Sequence, residues 1–105
     1  MKSKGKSKFD ELLLKVIDAE LKQIFGEAAT LIIYNHLERN YSLKREEIPE
    51  KLEVFAMGLE GFLSSGAQVV ERIILEKVYS SFGFQCQVKE GYRFVDYVTR
   101  LKKNL

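Results

Sequence analysis

A chain of 105 residues with 46% apolar side chains, 30% charged side chains and a net charge of +2 has the size and balance of one globular domain. It holds one His, one Cys and no Trp, which excludes an intrachain disulfide and leaves little material for a metal centre or a nucleophilic site. No apolar run approaches the roughly 20 residues that cross a bilayer. The longest, from Ala28 to Tyr34, is interrupted by Thr30.

The charge is unevenly placed. Lys2, Lys4, Lys6 and Lys8 stand in an acid-free start; setting them apart from the 17 basic residues leaves 13 against 15 acidic ones. Basic character therefore belongs to a tail, read as a disordered segment over 1–7, and the rest reads as a single helical domain over 8–105. The tail leads into an acidic amphipathic segment instead of an apolar one, so it does not read as a signal peptide. A lone Cys86 fits a reducing, cytoplasmic setting.

In chain order, Ser7 has the position of an N-cap, with Asp10 and Glu11 favouring the positive end of a helix. Leu13, Ile17, Leu21 and Ile24 give that helix its apolar stripe. Gly26 either ends it and admits another or lets a neighbouring backbone approach. Leu31, Ile32, Ile33 and Leu37 then make a segment apolar nearly all round, which predicts burial at the centre of a bundle, with Asn40 as its stop. After a connection over 41–48, Pro49 suits a first helical turn. Leu52, Phe55, Ala56, Leu59, Phe62 and Leu63 form the next stripe. Ser65 and Gln68 have capping-box spacing before a fourth helix, whose apolar face is Val69, Val70, Ile73, Ile74, Val78 and Phe82, with Gly83 closing it in the left-handed region.

Beyond Gly83 the period shortens. Phe84, Cys86 and Val88 alternate with polar residues, so a short β-hairpin near 84–94 is expected, turning at Glu90-Gly91, before a last helix through Phe94, Val98 and Leu101. The fold expected is all-α, a four- to five-helix bundle with that hairpin. A shift of 41 residues also aligns Ile32-Ile33 with Ile73-Ile74 and Leu37 with Val78. A duplicated helical hairpin gives this register, and so do two amphipathic helices in phase.

Few residues carry chemistry. Gly5-Lys6-Ser7 matches only the end of a phosphate-binding loop and lacks its strand. His36 has no ligand partners at useful spacing and reads as a helix-surface histidine; Cys86 has no charged sequence neighbour to activate it and reads as a small inward-facing residue. Mixed-sign runs such as Glu46-Glu47 beside Lys44 and Arg45 read as a solvated helix start. Five tyrosines are more suggestive, because a flat ring with a polar tip suits an interface or pocket. The candidate interface or pocket residues are Tyr34, His36, Tyr41, Tyr79 and Tyr97, set against the plainer reading that the phenols sit at the core rim. Weak, salt-sensitive phosphate contact falls to Lys2, Lys4, Lys6, Lys8, Arg100, Lys102 and Lys103. No catalytic residue, cofactor or metal is expected.

The runs Ile24-Phe25-Gly26-Glu27, Ile33-Tyr34-Asn35-His36-Leu37-Glu38 and Glu46-Glu47-Ile48-Pro49, with Phe55, Leu59, Gly66-Ala67 and the segment from Gly91 to Val98, resemble a small archaeal helical domain family of uncharacterised function. Members stand alone or are attached to predicted signalling proteins as output-type domains. The resemblance implies a helical domain with a regulatory or interaction role and carries over no active-site residue. The function expected is a non-enzymatic interaction or regulatory module, homodimeric if apolar surface stays open on the Ile32 or Val69 faces. The alternatives are a nucleic-acid-associated protein using its Lys-rich termini and a small-molecule sensor with a Tyr-lined pocket.

Overall fold

In the computed structural model, which describes residues 7–105, the elements in order are α1 (Lys8–Tyr41), a 3-10 turn (Arg45–Glu50), α2 (Leu52–Leu63), α3 (Gly66–Ser81) and α4 (Phe94–Lys103), with no strand among the described residues. The fold is all-α. The expected disorder of residues 1–6, and with it Lys2, Lys4 and Lys6, lies outside the described residues.

Ser7 caps α1 as its position implies, its hydroxyl accepting from the Asp10 amide at 3.1 Å. A straight helix of 34 residues would be about 51 Å long, yet the longest dimension of the molecule is 40 Å. The helix is broken at Gly26, whose φ of 87° and ψ of 168° are open essentially to glycine alone. How far the chain turns there follows from one bond. The Tyr34 hydroxyl donates to the Asp18 carboxylate at 2.8 Å, although 16 residues of straight helix would hold them about 24 Å apart. Residues 8–25 and 27–41 are thus two arms laid against each other, and Gly26 takes the first of its two expected roles. The buried Thr30 hydroxyl closes the corner by donating to the Gly26 carbonyl at 2.7 Å.

The first arm buries Leu13, Val16, Ile17 and Leu21, and the second buries Ile33 and Leu37. The bend decides which apolar residues go inside. Leu31 and Ile32 stay 63% and 56% exposed, so the segment read as central is instead one-sided. The second arm runs one residue past Asn40 and ends through Ser42, in the left-handed region at φ 51°, with its amide donating to the Glu38 carbonyl.

Pro49 sits within the 3-10 turn and not in a helical first turn; Ile48 and Pro49 are buried there, and α2 begins at Leu52. Phe55 and Leu59 put α2 into the core, and Gly58 and Gly61 let α1 come close. A Cβ on Gly58 would collide with Leu37, and one on Gly61 would stand 2.6 Å from the Tyr41 hydroxyl. The expected Ser65–Gln68 capping box is absent: Ser65 is itself helical and its side chain caps nothing, because the tight turn through Ser64 (φ 55°) already starts α3 at Gly66. Val70, Ile74 and Val78 are buried on α3, while Val69 is 63% exposed. Gly83, at φ 83°, follows the end of α3 as expected.

α1, α2 and α3 pack against one another, and α4 lies across α2 and α3. Phe94, Tyr97, Val98 and Leu101 fix that seat, with the Phe94 ring 5.9 Å from the ring of Phe55. The expected hairpin at 84–94 does not form. A side chain takes the place of a partner strand: the Tyr97 hydroxyl accepts from the Lys89 amide at 2.9 Å and lies 3.2 Å from the Lys89 carbonyl as donor. A lone ribbon of two short strands would be marginal in any case.

Candidate functional site

The tyrosines do not converge on one pocket. Tyr79 donates its hydroxyl to the Tyr97 carbonyl at 2.7 Å, tying α3 to α4, and the Tyr97 hydroxyl holds Lys89. Both phenols are spent on backbone at the core rim. Tyr41 lies over the Gly58 and Gly61 notch of α2. Tyr34 belongs to a polar cluster across the two arms of α1, where Asp18 also receives Lys22 at 3.0 Å and Arg45 at 3.5 Å. The Arg45 guanidinium stands 5.8 Å from the Tyr34 ring centre.

That cluster sets two cations against one carboxylate. Burial alone would raise the Asp18 carboxyl, but hydrogen bonds from Tyr34 and Lys22 and the charge of Arg45 outweigh it, so Asp18 is held below the ordinary aspartate range. Burial, then the bond to Asp18, pushes the Tyr34 phenol well above its ordinary range. Such a group stays protonated and serves as a strut between elements. A cleft of about 190 Å³ beside it is bordered by Asp18, Thr30, Leu31 and Tyr34.

His36 packs against two aromatic rings, tilted to Phe62 at 5.0 Å and edge-on to Tyr41 at 5.8 Å. Its Nδ1 stands 3.1 Å from the Asn40 side-chain nitrogen. Its Nε2 is buried and has no hydrogen-bond partner among the described residues. Ile32 lies one turn before His36 on the same face of the second arm. Ile32, His36 and Phe62, itself 40% exposed, therefore make an apolar strip that crosses from α1 to α2, with Leu31 beside it. Exposed Asn35 and Arg39 on the same arm supply polar neighbours.

The basic residues do not gather. Lys102 is 3.2 Å from Asp10 and 5.7 Å from the Phe9 ring centre, while Arg100 donates to the Tyr92 hydroxyl at 3.3 Å. Lys8 and Lys103 are exposed. Cys86 is half-buried, and burial pushes its thiol up, away from the reactive thiolate, with Arg72 opposing only in part. Among the described residues no group of three or more His, Cys, Asp or Glu could hold a metal ion, and no helix is long and apolar enough to cross a membrane.

Of the candidate pocket residues, Tyr97 alone reaches one further feature, whose other parts the linear sequence did not single out. Between α2, α3 and the start of α4 runs a groove of about 510 Å³, walled by Met57, Leu75, Phe94 and Tyr92. Glu60 and Glu71 enter it from α2 and α3. Burial, with the like charge of Glu60 added, pushes Glu71 up to about 7. The spacing of these acids along the chain gave no hint, because the facing of α2 and α3 is set by packing and not by local pattern.

Comparison with protein-family models, with curated proteins and with solved structures finds no match to this chain.

Proposed function

We propose that this chain is a non-enzymatic interaction or regulatory module of the signal-output kind, working in the cytoplasm as a two-fold homodimer. One observation carries the reading: the bend at Gly26 turns Leu31 and Ile32 outward, 63% and 56% exposed, alongside the His36 and Phe62 rings. Apolar surface gathered in one place and edged by polar side chains is the composition of a protein contact. A two-fold dimer brings the strip against its own copy and needs no second surface. The residues named for an interface divide accordingly: His36 belongs to the strip, Tyr34 lies beside it, Tyr41 packs on the His36 ring, and Tyr79 and Tyr97 hold α3, α4 and the Lys89 loop together.

Sedimentation velocity across a concentration series tests the reading, with association expected for the parent chain and its loss expected in Ile32→Glu. The nucleic-acid alternative has less support, since Lys102 and Arg100 are engaged within the chain. Duplex binding that survives removal of residues 1–8 would favour it. A regulatory role without turnover also agrees with the resemblance to archaeal output-type domains.

A further inference from the structure

We infer that the groove between α2, α3 and α4 is a binding site for a small organic cation, an ammonium group carried on an apolar or aromatic body. The volume, about 510 Å³, lies within the range of small-ligand pockets. Its walls divide into two chemistries. Met57, Leu75, Phe94 and Tyr92 offer apolar and aromatic surface. The Tyr92 ring is held in place, edge-on to Tyr97 at 5.2 Å and anchored through its hydroxyl by Arg100. A ring so fixed presents a face to a cation without first having to be ordered.

The polar lining leaves one charge unanswered. Both guanidinium groups of the groove are turned to other acids, Arg93 to Glu53 at 3.0 Å and to Asp96 at 3.7 Å, and Arg72 to Glu76 at 3.1 Å. The Glu60 and Glu71 carboxylates have no hydrogen bond or ion pair among the described residues. Glu71 is half-buried and feels Glu60 as a like charge. A cation placed beside it favours the charged form, and both guanidinium groups of the groove are already turned to other acids. An ammonium between Glu60 and Glu71 supplies that cation, while the body of the ligand lies along Met57 and Leu75 towards Tyr92. The inference stands apart from the dimer reading, since the groove shares no residue with the Leu31, Ile32 and Phe62 strip.

Binding is coupled to a proton. The ionisable groups facing the site are Glu53 and Glu60 from α2, Glu71 and Arg72 from α3, and Tyr92, Arg93 and Tyr97 from the loop and α4. Of these, Glu71 has its titration moved to about 7, so the cation meets a protonated acid at pH 6 and a carboxylate at pH 8. Affinity therefore rises over that interval.

The test is a titration of the isotope-labelled full chain with 2-phenylethylammonium, followed by amide shifts, with 2-phenylethanol as the neutral body of the same shape. Saturable shifts are expected at Met57, Glu71 and Tyr92, with the amine binding at least ~threefold more tightly than the alcohol at pH 8 and losing that margin at pH 6. Glu71→Gln and Glu60→Gln, which remove charge and leave the fold, are each expected to erase most of the difference. Equal binding of amine and alcohol, shifts confined to another surface, or unaltered amine binding in both variants would overturn the assignment.

Discussion

The Tyr97 hydroxyl meets both the amide and the carbonyl of Lys89, so Tyr97→Phe leaves the amide with water as its only other partner, while the carbonyl keeps the Tyr92 amide. A loss of about 1 kcal/mol is expected, together with faster hydrogen exchange at the Lys89 amide and little change in α1. Glu71 makes the opposite kind of contribution. Its pKa is raised from 4.5 to about 7, so between those values the folded chain binds more protons than the unfolded chain, and stability falls as pH rises through that window. Glu71→Gln removes the penalty. After allowance for its partial exposure, the variant is expected to be about 1 kcal/mol more stable than the parent at pH 8 and equal to it near pH 4. Denaturant melts at the two pH values check this; an unchanged difference across the range would contradict it.

At the scale of elements, the sequence named the helices well and their relations poorly. The stripes of α2, α3 and α4 were legible because burial on one side writes a 3.6-residue period into the chain. The cap at Ser7 and the glycine after α3 were legible because each needs a particular residue type. Three features were not. The loop at 84–93 alternates like a strand, yet its backbone bonds go to Tyr79, to the Tyr97 phenol at Lys89, to a turn from Lys89 to Tyr92 and to Asp96, with no partner strand. The Ser65 box has the right letters, but the turn before it had already set the start of α3. The Gly58 and Gly61 notch becomes meaningful only once Tyr41 is known to lie over it.

Gly26 lies between these cases: the residue was visible, and the angle it imposes was not. Nothing lies within 4 Å of the Cβ it lacks, so Gly26→Ala tests the backbone conformation alone. A cost of about 1–3 kcal/mol is expected, read from the denaturation midpoint, along with weakening of the Tyr34–Asp18 bond that spans the corner. The 41-residue correspondence continues into the structure to a limited extent. Ile33 and Ile74 are both buried, as are Leu37 and Val78, and Ser42 and Gly83 both take positive φ. Two helices packed on one core in the same phase produce the same agreement.

For the molecule as a whole, the bend at Gly26 links fold to proposed function. It brings Asp18, Tyr34 and Arg45 together as a strut and turns Leu31 and Ile32 away from the core. Of the candidate site residues, His36 belongs to the exposed strip and Tyr34 lies beside it, whereas Tyr79 and Tyr97 tie α3 to α4, with Tyr97 also on the groove wall. No periodicity distinguishes the two groups, because both have apolar neighbours at helical spacing. The groove with Glu60 and Glu71 was equally hidden, since its acids come from different helices. The most direct measurement of the central claim is sedimentation velocity on the full chain and on Ile32→Glu. The parent is expected to associate towards twice its 12.2 kDa mass, and the variant to be a folded monomer with unchanged helical content. A parent that stays at 12.2 kDa at every concentration, or a variant that associates just as well, would contradict it.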